Sequence, residues 1–290
     1  MRAARYRPPA EADSLILLIA SGCPNNTCAF CGMYKGQPYE IRPWDELSHE
    51  FESAARFYPD TRRIFLADGD VMALPFPLFQ QILLKLNALF PLLSRVNIYA
   101  NSISINAKSI DELQTLRALK LSIAYTGIES GSDAILELMK KKDRAIDALD
   151  AAEKLQKAGI RQSVMVLMGA GGQALSEAHV RDTARVLNKM QPPLLSLLTV
   201  TPVPGTMLYQ WVEKGTFRVL TQGRVLGEVR TLLSLLEMER TVFRCNHTSN
   251  PLPLEGRLPK DTGRLIAEVD WLLANGVGLD EPALVAPWML

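Results

Sequence analysis

Short runs of Ile, Leu and Val alternate along this chain with longer stretches whose apolar positions recur every three or four residues. Six runs read as strands, at residues 15–20, 63–67, 96–100, 121–126, 162–168 and 195–201. Their apolar character is nearly continuous, as in strands covered on both faces. Between them lie helical patterns. Val180, Ala184 and Leu187 fall at i, i+4 and i+7 in residues 177–190, and Ile110, Leu113 and Leu116 mark residues 109–119. Residues 145–158 end in a basic last turn followed by Gly159, and Leu265, Ile266, Val269, Leu272 and Leu273 stripe residues 261–274. Strands alternating with helices predict an α/β protein with a parallel sheet. Periodicity leaves open whether the sheet is open or curled, but either way the site belongs at the C-terminal ends of the strands.

After Gly205 the pattern changes. Helical segments continue, then residues 244–259 carry Pro251, Pro253 and Pro259 with little periodicity, and a last helix precedes a Pro287-Trp288-Met289-Leu290 tail. The expected organisation is an N-terminal arm over residues 1–13, a body over 14–205, and a mainly helical C-terminal extension over 206–290 packed on that body.

Composition narrows the classes. The 290 residues carry 32 basic and 31 acidic side chains, so a protein that coats nucleic acid or anionic membrane is disfavoured. Four cysteines cannot build a disulfide scaffold. Met1-Arg2-Ala3-Ala4-Arg5 followed by the apolar run at 15–20 and Cys23 mimics a secretion or lipoprotein leader. The run is short, however, and Glu11 and Asp13 sit just before it. Residues 76–93 come nearest to a membrane span but are interrupted by Gln80, Gln81, Lys85 and Asn87. A cytoplasmic protein is expected.

The chemistry concentrates after the first strand. Cys23, Cys28 and Cys31 fall within nine residues at C-x4-C-x2-C spacing. A loop carrying three thiolates can fold around one metal centre. Structural zinc takes four ligands, usually from two close pairs. The fourth here would have to be Cys245 or His247, more than 200 residues on. An electron-transfer [4Fe–4S] cluster likewise uses four cysteines. Three thiolates suit a cluster whose remaining iron takes another ligand.

The sequence here resembles the radical S-adenosylmethionine (radical SAM) enzymes, whose usual loop is C-x3-C-x-aromatic-C after the first strand of a partial (β/α)6 TIM-like barrel. Phe30 stands at the aromatic position, and the first spacing is longer by one residue. Asp68-Gly69-Asp70 after the second strand lie where that family binds the amino group of SAM. Asn101-Ser102 after the third are placed like its ribose- or carboxylate-reaching residues. Gly127-Ile128-Glu129-Ser130-Gly131 and Pro204-Gly205-Thr206-Met207-Leu208-Tyr209 are similar to elements of its coproporphyrinogen-dehydrogenase-like and elongator-catalytic-subunit-like branch.

The resemblance, over about residues 14–210, implies an oxygen-sensitive [4Fe–4S] cluster on Cys23, Cys28 and Cys31, with SAM on the fourth iron. It implies reductive cleavage of SAM to methionine and a 5′-deoxyadenosyl radical that abstracts hydrogen from an unidentified substrate. It also implies a reduced flavodoxin or ferredoxin as electron donor. Phe30, Met33, Tyr34, Asp68, Gly69, Asp70, Asn101, Ser102, Glu129 and Met168 are the expected SAM-binding residues, and Cys245 the candidate catalytic thiol. The alternative is an iron–sulfur or zinc protein with an electron-transfer, metal-delivery or structural role.

Weaker signals compete. Gly169-Ala170-Gly171-Gly172-Gln173-Ala174 satisfies G-x-G-x-x-A, yet no acid ends the following strand as a dinucleotide fold requires. A backbone approach to the adenosine of SAM is the preferred reading of that loop. Lys140-Lys141-Lys142-Asp143-Arg144 reads as a solvated charged turn and not as an RNA patch. His49, His179 and His247 are isolated, without a nucleophile elbow. With Cys245 the only cysteine left over, a second cluster of the methylthiotransferase kind is disfavoured.

Overall fold

The structure, a computed structural model, describes residues 7–284. Residues 1–5 of the basic leader-like stretch and the tail at 287–290 lie outside the described residues. The elements begin with β1 (Leu15–Leu18), β2 (Ala20–Ser21), β3 (Glu40–Ile41), α1 (Trp44–Phe57), β4 (Arg63–Ala67), α2 (Phe76–Leu89) and β5 (Arg95–Ala100). There follow α3 (Ser102–Asn106), α4 (Ile110–Ala118), β6 (Leu121–Glu129), α5 (Asp133–Leu138), α6 (Ala145–Ala158), β7 (Arg161–Met168), α7 (Ser176–Met190) and β8 (Leu194–Thr199). The chain continues through α8 (Met207–Glu213), α9 (Gln222–Leu235), β9 (Thr241–Arg244), β10 (Glu255–Leu258) and α10 (Thr262–Asn275). The strand order is β1-β4-β5-β6-β7-β8-β9-β10, with β2 and β3 as a separate pair. All six expected strands are present, and the four helical stretches match α4, α6, α7 and α10 to within two residues.

The chain divides into two compact units, and β6 and β7 each pass from one into the other. The first contains residues 1–26, 33–126 and 150–162. In it β1, β4, β5 and β6 pair in parallel, with Leu15 opposite Ile64 and Ile64 opposite Val96. Alternation across these strands sends Ile64, Leu66, Val96 and Ile98 into a core with Phe51, Phe79, Leu83, Leu113 and Leu155 from the helices. Each such side chain, fully buried, contributes roughly 1.5–3 kcal/mol. The opposite face carries Phe65, Tyr99 and Tyr125, edge-to-face with centroids 5.1–6.3 Å apart. Buried Glu11 lies against this face and accepts hydrogen bonds from Asn97 Nδ2 (2.7 Å), Tyr125 OH (2.6 Å) and Ser14 Oγ (2.6 Å). These satisfy a carboxylate that would otherwise be costly to bury. Ser109 and Glu112 form the capping box that opens α4, and Gly159 takes the positive φ that closes α6.

The second unit contains residues 27–32, 127–149 and 163–290. There β7, β8 and β9 run parallel and β10 returns antiparallel to β9. The extension after residue 205 is therefore mainly helical, as expected, but adds two strands that its sequence does not announce. Val164, Val166, Leu195, Leu197 and Phe243 from the strands pack with Val180, Leu187, Val229, Leu232, Leu265 and Val269 from α7, α9 and α10.

The glycine loop after β7 holds a protein carboxylate. Gly169 N–H (2.7 Å) and Ser176 Oγ (2.6 Å) both donate to buried Glu228 of α9. Burial pushes the Glu228 carboxyl up to about 7, against the lowering pull of those two donors. The folded state therefore holds this proton more tightly than the unfolded chain does. The associated stability is complete below the unfolded carboxyl range near 4.5 and is lost as pH rises through 7. Glu228→Gln is expected to flatten this dependence, worth up to about 3 kcal/mol, in denaturation series between pH 5 and 8. A wild-type profile already flat over that interval would contradict it.

Candidate active site

The C-terminal end of β4 and the first part of the cysteine segment belong to the first unit. Gly69 has φ +56°, and a Cβ there would stand 2.3 Å from Gly22 O and 2.9 Å from Cys23 Cα. Only glycine lets the strand end approach the first cysteine so closely. Gly22 is confined in the same way, its missing Cβ pointing at Pro38 O, 2.5 Å away. Asn26 N–H donates to Cys23 O (3.2 Å) and tightens the turn.

Tyr34 is buried, donates its hydroxyl to Asp68 Oδ1 (2.9 Å) and accepts the Gly69 N–H (3.0 Å). Burial and the Asp68 carboxylate together hold its phenol well above the usual range. Asp70 Oδ1 accepts from Ser104 Oγ (2.9 Å) and the Asn101 N–H (3.3 Å). The Asn101 side chain caps α3, accepting from Ile103 N–H (3.0 Å), and Ser102 is buried behind it. Met33 is half-buried. Asp68, Gly69, Asp70, Tyr34 and Cys23 are thus brought together, and Asn101 joins them through Asp70.

The rest of the cysteine segment, residues 27–32, belongs to the second unit. Ala29 is fully buried, donates its N–H to Met139 O (2.8 Å) and accepts from Leu208 N–H (2.9 Å). Thr27 Oγ1 donates to Lys140 O (3.0 Å). A Cβ at Gly32 would meet Val203 Cγ1 at 2.8 Å. Leu208 lies in the first turn of α8, whose N-cap Thr206 accepts from Tyr209 N–H (3.2 Å), so the Pro-Gly-Thr element braces the segment directly. Phe30 packs on the small core of Ile135, Met139, Val200, Leu208 and Phe217.

Each residue type in Gly127–Gly131 has a local reason. The Glu129 carboxylate folds back to within 2.1 Å of where a Gly127 Cβ would stand. Glu129 itself has φ +60°, a conformation a non-glycine residue adopts at a cost and keeps where its side chain must be aimed. Ser130 Oγ lies 2.9 Å from His179 Nδ1, and a Cβ at Gly131 would collide with Asp182 O at 2.3 Å. His179 is wholly buried, which lowers its imidazole to about 4 and keeps it neutral.

The charged run at 140–144 corrects the sequence reading. Lys140, Lys142 and Arg144 are exposed, but the side chains of Lys141 and Asp143 are only 6% and 3% exposed. Lys141 Nζ lies 3.8 Å from Glu129 Oε1 and 3.6 Å from Asp143 Oδ2. Burial opposes its charge, yet the two carboxylates outweigh that and hold it above the ordinary lysine range. Burial also raises the Glu129 carboxyl, which Lys141 partly offsets. It pushes the Cys28 thiol up to about 11 despite the nearby ammonium. Met168 and Cys245 are both buried in the second unit's core, away from solvent, and burial pushes the Cys245 thiol up to about 12. The polar residues after Cys245 tie down the end of β8: Ser249 Oγ accepts from Thr199 N–H (3.0 Å), and Asn250 Nδ2 donates to Leu197 O (2.8 Å).

The four cysteines form no disulfide, and Cys23, Cys28 and Cys31 are each half-buried. Among the described residues no three His, Cys, Asp or Glu side chains stand gathered as a ready-made ion site. The fit to an iron–sulfur cluster rests instead on donor chemistry, with three soft thiols on one loop, and on the glycine cradle of Gly22 and Gly69.

An α/β chain with this loop and these strand-end motifs defines an iron–sulfur protein class, and comparison narrows it. The profile of the Radical SAM superfamily matches residues 17–187, more than half of the chain, and the protein belongs to that superfamily. Members hold a [4Fe–4S] cluster and use SAM. A tRNA-2-methylthio-N(6)-dimethylallyladenosine synthase from Alkalilimnicola ehrlichii is 26% identical over 208 residues, covering 69% of this chain and 45% of the relative. The chain thus spans under half the length of that relative. Among solved structures, coproporphyrinogen III oxidase (HemN) from Escherichia coli aligns with TM-score 0.56 at 13% identity, covering 76% of this chain and 52% of that one. Elp3 of Methanocaldococcus infernus aligns with TM-score 0.54 at 14% identity, covering 91% and 64%. At such identities the likeness is one of fold, and it agrees with the expected partial barrel. No helix among the described residues is long and apolar enough to cross a membrane.

Proposed function

We propose that this protein is a SAM-cleaving enzyme whose cluster is held by Cys23, Cys28 and Cys31. When bound and reduced, the cluster supplies one electron that splits the S–C5′ bond of SAM, giving methionine and a 5′-deoxyadenosyl radical that takes hydrogen from a substrate. The chain's own part is to place and shield these groups. Asp68, Asp70 and Glu129 are the candidate acceptors for the SAM ammonium; Tyr34 OH donates to Asp68 at 2.9 Å, and Lys141 Nζ lies 3.8 Å from Glu129. Asp70 accepts the Asn101 N–H in the turn after Asp68, and Phe30, Met33, Tyr34, Gly69 and Ser102 are the further SAM-binding residues of this reading. Met168 is a further SAM-binding residue of this reading and Cys245 its candidate catalytic thiol, both buried in the second unit.

One observation carries this reading. The segment bearing Cys28 and Cys31 is bonded on one side to the turn after α5 and on the other to the Pro-Gly-Thr element. Residues 14–205 form the catalytic body in this account, and 206–290 the extension. A reduced flavodoxin or ferredoxin is the electron donor, and the protein works in the cytoplasm.

The test is anaerobic reconstitution with iron and sulfide, reduction with dithionite, and addition of SAM. About four irons per chain and release of 5′-deoxyadenosine are expected. A protein that binds zinc, or iron without cleaving SAM, sinks the proposal in favour of a structural or electron-transfer role.

A further inference from the structure

We propose that Lys141 sets the electrostatics of the cluster: its buried ammonium, on the turn bonded to the segment of Cys28, favours the reduced state and raises the reduction potential. This rests on the reading of Cys23, Cys28 and Cys31 as cluster ligands.

Three observations support it. First, the residues on either side of Cys28 are tied to the turn that carries Lys141. Ala29 N–H donates to Met139 O at 2.8 Å, and Thr27 Oγ1 to Lys140 O at 3.0 Å. The residues flanking the middle cysteine are therefore bonded to the two carbonyls that precede the lysine.

Second, Lys141 alone of the three consecutive lysines turns inward, with 6% of its side chain exposed. Taking an ammonium out of water costs several kcal/mol, whereas Lys140 and Lys142 stay solvated.

Third, the ammonium is fixed in position: Glu129 Oε1 and Asp143 Oδ2 lie 3.8 and 3.6 Å from Lys141 Nζ.

The sign follows. Reduction adds one electron to the cluster, so a nearby fixed cation stabilises the reduced form more than the oxidised form, and a carboxylate does the reverse. In a buried site, where screening is weak, both effects persist at physiological salt.

The experiment is an anaerobic redox titration of the reconstituted full-length protein without SAM, followed by EPR of the reduced cluster. Lys141→Gln is expected to lower the reduced-to-oxidised ratio at least tenfold at the wild-type midpoint, a shift of 59 mV for a one-electron couple. Lys141→Arg is expected to stay near wild type. Asp143→Asn is expected to move the midpoint the other way, which a merely structural role for the turn does not explain. A Lys141→Gln protein with full iron and an unchanged midpoint overturns the proposal. If that variant takes up no iron, an Asp143→Asn midpoint equal to or below wild type overturns it. A wild-type protein that binds no cluster overturns the parent reading instead.

Discussion

Serine in place of Cys28 is expected to strip the protein of nearly all its iron and to abolish release of 5′-deoxyadenosine. Substituting residues around a metal's ligands typically costs roughly 10- to 100-fold in affinity. Loss of one of only three thiolate ligands should exceed that, since the half-buried loop offers no fourth protein thiolate. The effect should be chemical and not a failure to fold. Serine is nearly isosteric, and Thr27 and Ala29 on either side make bonds that hold this segment. Iron and sulfide assays, with circular dichroism alongside, check it. Unchanged iron content in a folded Cys28→Ser protein would remove Cys28 from the ligand set. Cys245→Ser serves as the control and should keep its iron, because that thiol is buried in the second unit's core.

The second large effect is expected at Gly69. Alanine there must adopt φ near +56°, which costs on the order of 1–2 kcal/mol. Its Cβ would also stand 2.3 Å from Gly22 O and 2.9 Å from Cys23 Cα, a collision with backbone that cannot rotate away. Overpacking of this kind adds roughly 1–3 kcal/mol. Gly69→Ala should therefore destabilise by about 3 kcal/mol and lower the melting temperature by roughly 5–10 °C. It should also push the first cysteine from its place, so that cluster occupancy falls more than stability alone would explain. Gly36→Ala is the matched control. Its φ is +76°, but nothing lies within 4 Å of the added carbon, so it should show only the smaller conformational cost and keep its cluster. Equal effects at the two positions would contradict the cradle.

The strands of the parallel sheet were legible because burial on both faces forces apolar residues into successive positions, and the helices because burial on one face imposes a period of 3.6. Strands β9 and β10 escaped for the same reason. Thr-Val-Phe-Arg and Glu-Gly-Arg-Leu are short and polar, and they become strands by pairing with β8 and with each other. Such tertiary pairing leaves little local pattern.

In the site, the cysteine loop and Glu129 could be read because their chemistry depends on residue type and spacing. Lys141 could not. A lysine in a run of charges is ordinarily solvated, and its burial follows from a glutamate twelve positions earlier and a backbone bridge to the cysteine segment. Glu228 was hidden likewise. Its place on α9 gives no sign that its carboxylate will fill the glycine loop after β7, where the adenosine of SAM was the expected neighbour. The motif was visible, but not the side chain that occupies it.

The central claim is that three protein thiolates leave one iron open to SAM. The most direct test is pulsed EPR on the reduced protein with SAM labelled with nitrogen-15 at its amino group. A hyperfine coupling from that nitrogen to the cluster, absent without SAM, is predicted. A reduced cluster whose spectrum is the same with and without labelled SAM would contradict the account and mark a closed electron-transfer centre.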